Sequence, residues 1–171
     1  MQSYIGKTQK STMLPEGDKY KMRNRGFTLV EIMIVIGIIA LLAAIAIPNL
    51  LRARLQANEA AAQAALKTVA IAEIGYRTSN ITFATLVQLG APVEVPPYID
   101  AALAAGRKNG YDFATTDITA GTFHCSAVPV TANTTGVRSF CITEDGTIRF
   151  QANGGAIVDR AACLTLPATT P

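Results

Sequence analysis

Histidine and cysteine are scarce in this chain: among 171 residues there is one histidine, His124, and there are three cysteines, Cys125, Cys141 and Cys163. A four-ligand zinc site of Cys and His would consume all of them, so no metal is expected. Charged residues make up only 16% and aromatics 6%, against 50% hydrophobic residues, which excludes an extended disordered chain as the main product. The length excludes two large domains. No glycine-rich phosphate loop and no convincing nucleophile constellation occurs. His124 stands beside Cys125 without an orienting acid nearby in sequence, and reads as a strand histidine. Neither catalysis nor a cofactor is expected.

Basic residues are unevenly placed. Lys7, Lys10, Lys19, Lys21, Arg23 and Arg25 oppose only Glu16 and Asp18 in residues 1–26, so the remainder carries nine basic and ten acidic residues. The formal charge of +3 therefore resides in the leading segment. If that segment is removed on maturation, an intrinsic nucleic-acid surface loses its charge. The basic residues that follow form no run longer than Arg107-Lys108, so they read as solvated surface and nucleic acid is not expected as a partner.

Residues 27–51 read FTLVEIMIVIGIIALLAAIAIPNLL, with one charge, Glu31, between Arg25 and Arg52. The uncharged stretch 32–51 would measure about 30 Å as a helix, the thickness of a bilayer's hydrocarbon. With the basic residues before it, the positive-inside tendency leaves residues 1–26 in the cytoplasm and 52–171 outside. A secretory signal fits badly, because its apolar core is shorter and its cut lies beyond that core. A plain anchor leaves Glu31 unexplained, since a carboxylate within a span costs about 2.5 to 3.5 kcal/mol. Cleavage between Gly26 and Phe27 would supply a partner: a new amine within one turn of Glu31, or facing the Glu31 of a neighbouring helix. Such pairing would set register in a polymer.

Arg25-Gly26-Phe27-Thr28-Leu29-Val30-Glu31, followed by the apolar run through Pro48, resembles the class III signal of type IV pilins and the related pseudopilins of type II secretion. The resemblance implies cleavage after Gly26 by a prepilin peptidase, N-methylation of Phe27, and assembly of the helices into a filament core in which Glu31 contacts the N-terminus of a neighbour. It also implies inner-membrane assembly machinery as a partner. The single-pass precursor would sit in the inner membrane before becoming part of an extracellular pilus or a periplasm-spanning filament. A leader of 26 residues is long for such a signal. Initiation at Met22 would leave five residues, and either start gives the same mature chain. Pro48 removes a helical hydrogen bond and should kink or loosen the helix near Ala44.

Helix-favouring residues continue past the span, with Leu55, Ala62, Leu66, Val69 and Tyr76 on one stripe that needs a covering surface. The organisation read from the sequence is a leader at 1–26, a membrane or filament-core half-helix at 27–51, and an amphipathic half-helix at 52–77. A connecting region with two short helices follows at 78–109, then an antiparallel sheet with a C-terminal segment at 110–171. The sheet is drawn from β-type runs at 111–115, 122–130, 137–143 and 147–151, with Glu144-Asp145-Gly146 as a hairpin turn. The fold class is α+β, and a sheet laid on a long N-terminal helix agrees with the ladle form that the resemblance implies.

Cysteines suit an exported domain, where disulfides persist. Cys125 and Cys141 flank a hairpin centred near Asn133, and a simple register sets them opposite one another, which favours that pair and leaves Cys163 spare. The competing pair, Cys141 with Cys163, would resemble the disulfide-closed C-terminal loop of many type IV pilins. Asn80-Ile81-Thr82 and Asn133-Thr134-Thr135 match a glycosylation sequon, a short pattern frequent by chance. The function expected is a structural subunit that polymerises with copies of itself into a pilus-like filament. The alternative is a pseudopilin, although Asp159 stands alone in the last 26 residues, without the acidic cluster of a calcium loop.

Overall fold

The structure, a computed structural model, describes residues 26–90 and 95–169. The leader at 1–25 lies outside them. The chain divides into two compact units, Met1–Leu41 and Leu42–Pro171, and the helix α1 (Leu29–Asn80) passes through the boundary.

In the first unit the described part of α1 is apolar and solvent-exposed throughout, with Phe27, Leu29 and the isoleucines between 32 and 39 all uncovered. An apolar helix with no buried face is unstable in water and suits lipid or neighbouring helices. Thr28 starts it: its Oγ1 accepts the backbone N–H of Glu31 at 3.2 Å, satisfying one of the first-turn donors. Alanine, leucine and isoleucine then carry the helix through Pro48, which lies inside it.

In the second unit the rest of α1 becomes amphipathic. Glu59, Ala62, Leu66, Val69 and Glu73 are buried at alternating spacings of three and four, so they line one face. A five-stranded antiparallel sheet covers that face. Its strands are β1 (Arg107–Lys108), β2 (Tyr111–Thr116), β3 (His124–Pro129), β4 (Ser139–Thr143) and β5 (Ile148–Gln151), paired in sequence order as a meander. Tyr111, Phe113, Cys125, Ala127, Phe140, Ile142 and Ile148 pack with Ala62, Leu66 and Val69 in one core. Two short helices precede the sheet, α2 (Leu86–Leu89) and α3 (Ala101–Ala104), and bury Leu86, Leu89 and Leu103. A third, α4 (Arg160–Thr165), follows it.

Four strands fall where alternation and turn residues placed them. Gly146, at φ +72°, supplies the left-handed residue that the β4–β5 hairpin requires. The two-residue β1 was read as connecting region, because a strand that short has no pattern. α4 was also missed: it exists because the Asp159 carboxylate accepts the N–H of Ala162 at 2.7 Å and because a disulfide holds its Cys163.

Candidate functional site

The residues expected from the sequence to direct processing and assembly lie at the start of α1. Gly26 and Phe27 precede the helix in a solvent-exposed segment outside any helix or strand, and a Cβ built on Gly26 would meet nothing within 4 Å. Phe27 is 79% exposed, so the bond between these residues stands open to a second molecule. Glu31 occupies the first turn of α1, also exposed, where the positive end of the helix dipole favours a carboxylate. The structure thus places Gly26, Phe27 and Glu31 together at one helix end. Thr28, whose hydroxyl caps that end, was not singled out from the sequence. Its signal was present: Thr-x-x-Glu ahead of an apolar run is the capping-box pattern.

Two carboxylates on the covered face of α1 were likewise missed. Glu59 Oε1 accepts the backbone N–H groups of Val137 and Arg138 at 3.0 and 3.1 Å, while Oε2 accepts Nε and Nη2 of Arg138 at 2.9 and 2.7 Å. One buried acid therefore binds two amides and a guanidinium fork of the segment leading into β4. Asn58 adds a bond from Nδ2 to the Thr135 carbonyl at 2.9 Å. Tyr111 Oη donates to the Arg138 carbonyl at 2.9 Å, so the segment is held from both sides.

At the other end of the covered face, Glu73 Oε2 accepts the N–H of Ala84 at 2.8 Å while Oε1 is buried without a partner among the described residues. Desolvation dominates and pushes its pKa up to about 7 from an ordinary 4.5, with the Ala84 N–H pulling the other way. Both acids occupy stripe positions, 59 three residues before Ala62 and 73 four after Val69. The sequence signal was an acid in phase with the apolar face.

The favoured Cys125–Cys141 pair is overturned. Cys141 is bonded to Cys163, and Cys125 is a free, fully buried thiol. Register gives the reason: Cys125 lies opposite Ile142 and Ser126 opposite Cys141, a one-residue offset. Side chains alternate across a sheet, so Cys125 faces the main core with α1 while Cys141 faces the other side with Ile157 and Cys163. Burial, and then the Glu73 charge, raises the Cys125 thiol pKa, which leaves it protonated and inert.

His124, expected as a strand histidine, starts β3, and the fold brings it to Cys141 and Cys163, with potential ligand atoms all within 4.8 Å of one another. Both sulfurs are spent in the disulfide. His124 Nδ1 bonds to the Thr116 hydroxyl at 2.8 Å, and burial lowers its pKa, overcoming the opposing pull of Asp117 and Asp159. It is a neutral core residue beside the disulfide.

Comparison with known proteins bears on the same helix end. The family model for the prokaryotic N-terminal methylation motif matches residues 21–47. The type IV wide pilus major component PilA4 of Thermus thermophilus is 39% identical over 95 residues, covering 53% of this chain and 72% of that protein. The type IV major pilin protein PilA of Myxococcus xanthus is 46% identical over 55 residues, 32% of this chain. The chain spans only 25% of that second relative.

Proposed function

The chain belongs to the type IV pilins, and from that membership we propose that it is a structural subunit of a type IV pilus, held in a membrane by α1 before assembly and polymerised with copies of itself afterwards. The 39% identity to a major pilus component over most of that component's length carries this reading. A pseudopilin role is not favoured, since both relatives are pilus subunits.

In the steps that lead there, prepilin peptidase cuts between Gly26 and Phe27. The exposed backbone at this bond, outside any helix or strand, suits a protease, and loss of the basic leader removes the charges that hold the N-terminus in the cytoplasm. The freed Phe27 amine is then methylated. Glu31 of an incoming subunit meets that amine on a neighbouring helix, and the exposed apolar face of α1 exchanges lipid for other copies of α1. Pro48 loosens the helix at its missing hydrogen bond. An inner-membrane machine drives extraction.

Intact-mass spectrometry of protein sheared from the native cell surface tests this directly. The expected chain starts at methylated Phe27 and is found in fibres. A chain that keeps residues 1–26 and stays with the membrane would refute the reading.

A further inference from the structure

We propose that a cleft beside the first turns of α1 beyond the span binds the phosphate headgroup of a membrane phospholipid while the subunit waits in the bilayer. The inference rests on the membrane-held precursor described above. The cleft has a volume of about 640 Å³ and lies wholly within the second unit. From α1 it takes Leu51, Arg54, Leu55 and Asn58, and its far wall comes from the loops at 109–110 and 133–135.

Chemistry, depth and construction point to the same occupant. Leu51 and Leu55 form an apolar side, while Arg54, Asn109, Asn133 and Thr134 present polar heads that make no side-chain hydrogen bond or ion pair among the described residues. One cation, several neutral donors and no acid fit a phosphodiester joined to a glyceride. Depth follows from helical rise. Residues 32–51 cross the hydrocarbon, so Arg54 stands about 5 Å beyond it, inside a headgroup layer about 5–7 Å deep on each side. The far wall is built rather than loose: a Cβ on Gly110, at φ +76°, would come within 2.9 Å of the Thr135 Cβ, and Asn58 bonds the Thr135 carbonyl. Asn109 and Asn133 adopt left-handed backbone, at φ +49° and +61°, on either side of that wall.

Arg52 supplies the control. It lies two residues away at nearly the same depth, but lines a different cleft of about 410 Å³ with Glu59 and Arg138. The full-length chain, extracted from membranes in mild detergent, would be titrated with phosphatidylglycerol and read by native mass spectrometry. Wild type and Arg52→Ala should retain one lipid, whereas Arg54→Ala should bind about tenfold more weakly, the worth of one charge-assisted contact. Thr134→Tyr, which fills the cleft and removes no charge, should also lose the lipid. Equal loss in Arg52→Ala and Arg54→Ala with none in Thr134→Tyr would reduce the effect to interfacial charge and overturn the proposal. So would equal affinity for inorganic phosphate, or a dimer broken by Thr134→Tyr, which would assign the cleft to a second copy. A chain that never enters the membrane fraction refutes the precursor reading as well as the cleft, whereas a membrane-held chain retaining no lipid refutes the cleft alone.

Discussion

Glu59 and Glu73 show how one residue type serves opposite ends of the same helix face. Glu59 is saturated by four hydrogen bonds, so its charge is compensated where it is buried. Removing it orphans two amides and the Arg138 guanidinium. Because Arg138 remains 41% exposed, water recovers part of the loss, and Glu59→Ala should cost about 2–3 kcal/mol in chemical denaturation rather than the larger figure for a wholly buried pair. Glu73 has one neutral donor and a bare oxygen. Its pKa is raised in the fold, so the folded state holds a proton that the unfolded state has released between pH 4.5 and about 7. Stability should therefore be greatest below pH 4.5 for this group and fall as pH rises to 7, by on the order of 3 kcal/mol at most. Glu73→Gln should flatten that window, so the gap between variant and wild type should change across it. Denaturation curves at pH 4, 5.5, 7 and 8 for both proteins would check it, and parallel profiles would show that Glu73 holds no extra proton in the fold.

On the scale of an element, α1 changes its surroundings without changing its conformation. The large apolar side chains of its first half are exposed, and its second half buries a stripe against a sheet from the same chain. Function at the N-terminal end should separate by position. Gly26→Ala should slow processing, since a Cβ is added next to the bond proposed to be cut, and an immunoblot for the leader-bearing form would show accumulation. Glu31→Ala should still be cut yet assemble poorly or lose methylation, measured by sheared-fibre yield and the mass of the N-terminal peptide. Normal, methylated filaments from Glu31→Ala would remove the pairing role. Thr28→Ala deletes the cap and should cost the first turn about 1 kcal/mol, visible as faster amide exchange at residues 29–32.

For the whole molecule, the decisive link is the disulfide that ties the C-terminal segment to β4 and closes a loop between positions 22 residues apart. A cross-link over a loop of that length contributes about 3 kcal/mol, chiefly by restricting the unfolded chain. Cys163→Ser should lower stability by about that amount. In denaturant without reductant, alkylation should modify Cys125 alone, and peptide mapping should recover Cys141 linked to Cys163. Labelling at Cys163 alone would instead restore the cross-strand pair that spacing favoured. Reinforcement comes from Arg160, which pairs with Glu144 and whose N–H donates to Asp117 at 2.7 Å.

Local chemistry was enough to place the apolar helix, its N-terminal methylation motif, the meander and the Gly146 turn, because each rests on neighbours within a few residues: periodicity, a run of apolar side chains, or a glycine that must adopt positive φ. The covered stripe was legible at Leu66 and Val69 for the same reason, but not at Glu59 and Glu73, whose burial is tolerable only because amides from residues 84, 137 and 138 arrive to bond them. Cysteine pairing could not be read either. A one-residue shift in the β3–β4 register turns Cys125 and Cys141 to opposite faces, and nothing local to either cysteine fixes that shift. Sequence periodicity determined which segments must be covered or embedded in lipid; the register of distant strands decided which polar groups and which sulfurs meet.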